Sequence, residues 1–336
     1  VYVRGNDRAR LMDDFTGSAW PGCDWPDESA QLENIGIRAT VIPAGGAETF
    51  TRSQSLGFAV GGSWVGDGST FCGWPQKSNV RTPSFNTAAW RQDRSAKVRE
   101  LCARRARYGI LDNGLCDEPN LSRPGTADEV DAHPENLAEY RVRMARKYGT
   151  IAEYNRRHQT AHASFADLGQ TLQADARKSG RYAEFIEWRN FNVDRWVEAI
   201  RLVSDAAKAS DPDVLFTMCN SFGQSALSGN DYYKLLTRAG LDFSTEYTCM
   251  VYFGRGAIYN YDELIRSFRP DIRCWGWTGY FYSRPRARFM PWWFACHRYG
   301  GFSWYAATAP GYNIVDGATL RKAQEHPEEY HNLVVR

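Results

Sequence analysis

The sequence predicts an α/β fold of the (β/α)₈ TIM-barrel class, and three observations carry that expectation. Eight short apolar or β-branched runs recur along the 336 residues, helical patterns fall between them, and no dinucleotide fingerprint is present. Near-continuous apolar runs of this length suit strands buried on both faces, as in a parallel sheet. Strand and helix in alternation select a closed barrel or a doubly wound sheet. No GxGxxG follows the first run and no other phosphate-cradling loop appears, so eight units favour the barrel.

In chain order, strands are expected at Val1–Val3 before RGND, Ile37–Ile42 before PAGG, Phe58–Val60 before GGSW and Tyr108–Leu111 before DNG. Four more follow at Val214–Met218, Phe243–Tyr247, Ile272–Trp277 and Gly301–Ala306. The clearest helix covers 183–209, where Phe185, Trp188, Trp196, Ile200 and Val203 recur at three- and four-residue steps until Asp211-Pro212 ends the pattern. Other helices are expected over 88–106, 135–147, 150–158, 260–268 and 286–298. The charged stretch 119–182, between strands four and five, reads as a helical insertion within one domain spanning 1–336. It is expected over the active face, because βα loops build that face.

Composition narrows the function. Apolar residues make 43% of the chain and charged residues 24%, as in ordinary soluble domains. With 41 basic against 39 acidic residues, the net charge of +2 gives no electrostatic reason to expect nucleic acid or a membrane surface. No run of eighteen apolar residues occurs, so no transmembrane helix is expected. The chain opens on Val-Tyr-Val-Arg with no initiator Met or leader pattern. It therefore reads as a fragment or a processed chain, the compartment stays open, and a homo-oligomer is compatible with this sequence.

The eight cysteines, at 23, 72, 102, 116, 219, 249, 274 and 296, form no CxxC pair and have no His at ligand spacing. That argues against a structural zinc site and against a dense disulfide framework. Cys116, Cys219, Cys249 and Cys274 lie in or beside candidate strands and read as small buried hydrophobes. The six His show no HExxH pattern, and His158/His162 lack a third ligand, so that pair reads as part of a surface helix. Neither a metal nor a cofactor is expected.

Catalytic groups of such barrels sit at the C-terminal ends of strands. The fourth run, RYGILDNGLCDEPNL, sets Asp112, Asp117 and Glu118 within seven residues. A glycoside-cleaving acid needs a carboxyl held protonated by burial or by a second carboxylate. An acid after a strand can equally cap the following helix. Glu246, with Tyr247 beside it, ends the sixth run and supplies a second acid. Pairing the two carboxyls at about 5 Å would give a retaining route, and at about 6.5–9.5 Å an inverting one. The seventh run carries Trp275, Trp277 and Tyr280 but no carboxylate, and the eighth adds Trp304. Aromatics make 14% of the chain, so these residues could form a stacking wall for a sugar or plain core. Arg4, Asn6 and Asn220, at the ends of the first and fifth runs, are candidate partners of sugar hydroxyls.

The segments CDEPNLS, KYGTIAEYNRRHQTAHASFADL and WRNFNVDRW resemble family 42 glycoside hydrolases, the β-galactosidases of clan A, over roughly residues 100–310. Lys147, Tyr148, Gly149, Thr150, Ile151, Asn155, Thr160, Ser164 and Phe165 match that family's Lys-Tyr-Gly phrase, the most specific part. The resemblance implies that Glu118 is the acid/base. It also implies that Asp117 stands where the family has the Asn that contacts the sugar 2-hydroxyl. The family nucleophile is a Glu ending strand seven, where this chain has Trp-Gly-Trp-Thr-Gly; either Glu246 serves as the second carboxylate or the chain does not cleave glycosides by the family's route. Three readings follow: a glycosidase on a β-linked oligosaccharide or galactoside, a non-catalytic carbohydrate-binding or scaffold barrel, and a barrel enzyme using Asp112, Asp117 and Glu118 with a hard cation.

Overall fold

The computed structural model describes residues 16–20, 37–42, 45–71, 80–122, 131–218, 229–247, 261–279 and 284–305. Its strands are β1 (Thr16–Trp20), β2 (Ile37–Val41), β3 (Ala59–Gly61), β4 (Ser63–Trp64) and β5 (Asp112–Gly114). They continue as β6 (Leu215–Thr217), β7 (Phe243–Tyr247), β8 (Arg273–Gly279) and β9 (Gly301–Tyr305). Six form one curled parallel sheet in the order β3-β2-β1-β9-β8-β7, and β4-β5-β6 form a second parallel sheet. Only Gly62, at φ +61°, separates β3 from β4. Across the other junction Asp242 N donates to Phe216 O at 2.9 Å, and Thr217 Oγ1 donates to Phe243 O at 3.0 Å.

The helices are α1 (Ala47–Ser55), α2 (Gly68–Phe71), α3 (Ala88–Ala106), α4 (Pro134–Tyr148), α5 (Ile151–His158), α6 (Gln173–Ser179) and α7 (Tyr182–Ser210). After them come α8 (Tyr232–Arg238), α9 (Tyr261–Phe268) and α10 (Arg284–Cys296). Local chemistry sets their starts. Thr87 accepts from Trp90 N to cap α3, Pro134 opens α4, and Thr150 accepts from Glu153 N to cap α5. Each helix expected from periodicity lies within two residues of its place.

The strands differ more. Thr16–Trp20 fills the place between β2 and β9, whereas Val1–Val3 lies outside the described residues. Its small and polar side chains, Thr16, Gly17, Ser18 and Ala19, give no apolar run, yet they are buried because the sheet closes tightly there. The fourth strand is Asp112–Gly114 rather than Tyr108–Leu111; the apolar run leads into the ladder instead of forming it. In β8 the Trp-Gly-Trp pattern has a packing cause. Gly276 seats the Phe294 ring of α10, so any Cβ there would overlap it.

One large core lies between sheet and helices, holding Trp196, Ile200 and Val203 of α7 with Phe294, Phe302 and Trp304. A second core, Tyr140, Met144, Tyr154, Leu168, Trp188 and Phe191, joins the insertion helices to the first half of α7. The matched phrase residues work here. Lys147 Nζ and Tyr148 Oη both donate to Glu187, Gly149 ends α4 at φ +71°, and Ile151 and Phe165 pack on the second core. Asn155 Nδ2 donates to His162 O, while its Oδ1 accepts from Thr160 Oγ1 and His162 N. Ser164 caps the short turn Phe165–Asp167. His158 is buried rather than on a surface helix, because Tyr154 stacks on it at 4.0 Å and Tyr148 closes its edge.

Candidate functional site

The inner faces of the strands surround one cavity of about 30 Å³, lined by residues of every strand except β6. Alternation supplies the lining: Ser18 and Trp20, Ala39 and Val41, Phe243 and Thr245, Trp275 and Trp277, with Ser303 facing in between Phe302 and Trp304. Trp20 meets Trp64 at 6.1 Å and Trp277 at 6.2 Å, both edge-on. Most polar groups of the wall are already engaged. Ser18 and Ser303 share a hydrogen bond of 2.7 Å, Trp275 Nε1 donates to Ser303 Oγ at 3.1 Å, and Thr245 Oγ1 donates to Met218 O.

Asp112 stands in this wall at 7% exposure. Its Oδ1 accepts from Gly62 N at 2.9 Å. A side chain on Gly61 would crowd the same oxygen, which is why glycine occupies that position. Asp112 is the first residue of β5, so the carboxyl lies level with Gly62, where β3 gives way to β4. Burial pushes the Asp112 carboxyl up to about 6, and the Gly62 N–H offsets this only in part.

Glu118 follows β5 on the segment past Cys116. It is half-buried and has a left-handed φ of 46°, a conformation that residues with a side chain rarely adopt and that Gln159 and Arg298 share among the described residues. Asn120 Nδ2 donates back to Glu118 O at 2.6 Å and fixes that turn. Asp117 is also half-buried. The backbones of Glu246 and Tyr247 end β7, paired to Gly276 and Trp277. Trp275 and Trp277 are buried in the cavity wall, and Trp304 packs in the main core instead. Arg4, Asn6, Asn220 and Tyr280 lie outside the described residues.

In the sequence Asp112 is one acid of three, and Trp20 and Trp64 do not stand out as site residues. Their signal was slight: a lone Trp closing the β1 run and a lone Trp after Gly-Gly-Ser. Among the described residues no three His, Cys, Asp or Glu side chains gather as metal donors, so Asp112, Asp117 and Glu118 do not form the hard-cation cluster. Asp112 lines the cavity, whereas Asp117 and Glu118 do not. Cys102, Cys116 and Cys274 are buried, and no described helix is long and apolar enough to cross a membrane.

The chain aligns with a β-galactosidase from the psychrophilic Marinomonas ef1 over 87% of its length, at 15% identity and a TM-score of 0.64. A family 42 β-galactosidase from G. stearothermophilus aligns over 96% of the chain at 10% identity and a TM-score of 0.67. The catalytic domain of a β-amylase from Paenibacillus polymyxa aligns over 88%, at 14% identity and a TM-score of 0.63. The fold is shared with glycoside hydrolases. The chain covers 54% and 56% of the two β-galactosidases and 92% of the β-amylase domain, so it spans about half the length of the galactosidases it matches. No family model matches the sequence, and no curated protein is similar to it.

Proposed function

We propose that this chain is a glycoside hydrolase acting on a β-linked oligosaccharide or galactoside through two carboxyl groups, with Glu118 as acid/base and Glu246 as the second carboxylate. The observation that carries the reading is the left-handed, half-buried Glu118 at the end of β5, on a fold shared with β-galactosidases and a β-amylase. A closed (β/α)₈ barrel fits the continuity of β3 into β4 and the hydrogen bonds between β6 and β7. With β3 and β4 taken as one broken strand, the count is eight. The α4–α6 insertion then lies over the active face, as a loop following strand four should.

Trp275, Trp277, Tyr280 and Trp304 are the expected sugar platform, with Tyr247 a further substrate-binding candidate; Trp20, Trp64 and Trp277 suit the platform role better, because they line the cavity together. Arg4, Asn6, Asp117 and Asn220 remain proposed partners of sugar hydroxyls.

One observation favours a second reading, a carbohydrate-binding barrel without catalysis. The β8 strand, Arg-Cys-Trp-Gly-Trp-Thr-Gly, carries no acid, and its Gly276 is occupied by packing. A panel of chromogenic β-glycosides tests both. Turnover by the wild-type chain that Glu118→Gln abolishes, with unchanged thermal melting, supports hydrolysis. Saccharide binding without turnover supports the binding barrel.

A further inference from the structure

The central cavity holds an acceptor that the fold leaves unused. Oδ1 of Asp112 is engaged by Gly62 N, but Oδ2 has no hydrogen-bond partner among the described residues. The residue is more than nine-tenths buried, and what remains accessible of it opens on the cavity. The hydroxyls of Ser18, Thr245 and Ser303 are satisfied by one another or by backbone, and the Trp275 N–H is taken by Ser303. Among the described residues Trp64 Nε1, also in the lining, is buried without a partner. The wall is otherwise flat and apolar: Trp20, Trp277, Val41, Leu111 and Phe243.

Such a lining asks for a small group that carries apolar surface and one hydroxyl. A buried carboxyl oxygen left without a partner costs free energy that a donor hydroxyl would recover. The space of about 30 Å³ is too small for a sugar ring but of the right order for one carbon bearing one oxygen. We infer that this cavity receives the exocyclic hydroxymethyl arm of a hexopyranoside, its hydroxyl donating to Asp112 Oδ2 while the ring stays above, against Trp20 and Trp277. This rests on the reading of the chain as a saccharide-binding barrel, and it makes Asp112 a specificity-determining residue. A pentopyranoside leaves the carboxyl unfilled. A uronic acid brings a second carboxyl against it, which repels whenever both are ionised.

The test compares sugars that differ only in this arm: methyl β-D-glucopyranoside against methyl β-D-xylopyranoside, and methyl β-D-galactopyranoside against its 6-deoxy analogue and methyl α-L-arabinopyranoside. Binding is followed by the fluorescence of the cavity tryptophans. The hexoside of one pair should bind at least tenfold more tightly than its partner lacking the arm or its hydroxyl, and Asp112→Leu should bring the pair to equality. Asp112→Asn, which retains an acceptor, should keep part of the preference and guards against loss of fold in the leucine variant. Equal binding within both pairs, no binding of any of these sugars, or a preference unaffected in a folded Asp112→Leu variant overturns the inference. The chromogenic turnover assay is scored separately, so loss of the hydrolase reading with a retained hexoside preference leaves the cavity assignment standing, and turnover without that preference does the reverse.

Discussion

The backbone N–H of Gly62 donates to Asp112 Oδ1 at 2.9 Å, tying the glycine that breaks one strand to a carboxyl buried in the wall of the central cavity. The bond links the kink between β3 and β4 to the start of β5. It also gives the buried acid its one fixed partner among the described residues. Several consequences can be measured.

The first is a pH dependence of stability. Burial raises the Asp112 carboxyl from 3.8 to about 6, so between those values the folded chain holds a proton that the unfolded chain has released. The group's contribution is fully present below about pH 4, falls as pH rises through about 6, and is flat above. Asp112→Asn removes the titration and keeps an oxygen for Gly62 N. The variant should match the wild type near pH 4 and exceed it by up to about 3 kcal/mol at pH 8, from the shift at 1.36 kcal/mol per unit. Melting curves at the two pH values check this, and an equal difference at both would sink it.

The second concerns Glu118. Its φ of 46° costs a side-chain-bearing residue on the order of 1 kcal/mol, which glycine does not incur. Glu118→Gly should therefore raise the urea midpoint while abolishing turnover, whereas Glu118→Gln should abolish turnover alone. A destabilised glycine variant would show that the side chain's contacts outweigh the backbone strain.

The third is a packing prediction. A Cβ on Gly66 would run into the carbonyl oxygen of Leu115, a backbone atom with no freedom to retreat. Gly66→Ala should cost about 2 kcal/mol or more, in the range of overpacked cores. Gly46→Ala, where a Cβ meets nothing, serves as the control in denaturant titrations.

The fourth separates two residues of the same phrase. Asn155 satisfies His162 O, His162 N and Thr160 Oγ1, so Asn155→Ala strands polar groups and should cost about 1–3 kcal/mol. Lys147 pairs with Glu187 from a side chain that is half in solvent, and Lys147→Ala should cost less than about 1 kcal/mol. Comparable losses in both would contradict the division.

How far the sequence could be read follows from these same environments. The helices were legible because period and capping agree: Thr87 caps α3, and Thr150 caps α5. Strand β1 was not, since Thr-Gly-Ser-Ala-Trp is buried by close packing of small groups, and its Ser18–Ser303 hydrogen bond satisfies polarity from a strand nearly three hundred residues away. Asp112 and Asn113 look like a turn, yet they form β5 because Gly62 N and Cys102 Sγ partner them in the interior. The paired tryptophans of β8 could be read as wall or core, and only the register, with Gly276 turned toward Phe294, assigns Trp275 and Trp277 to the cavity. The Lys-Tyr-Gly phrase announced a family likeness through residues whose visible work is to fold the insertion.

Helix α7 runs unbroken through 29 residues, about 43 Å at 1.5 Å per residue. Its first half, with Trp188 and Phe191, completes the insertion's core; its second half, with Trp196, Ile200 and Val203, completes the core beneath the sheet. A single rod thus serves as a beam common to two rooms. Neither can be dismantled without taking the end wall from the other, so the charged insertion and the strands should melt as one cooperative unit, and strain introduced at one end is delivered to the other without a hinge to absorb it.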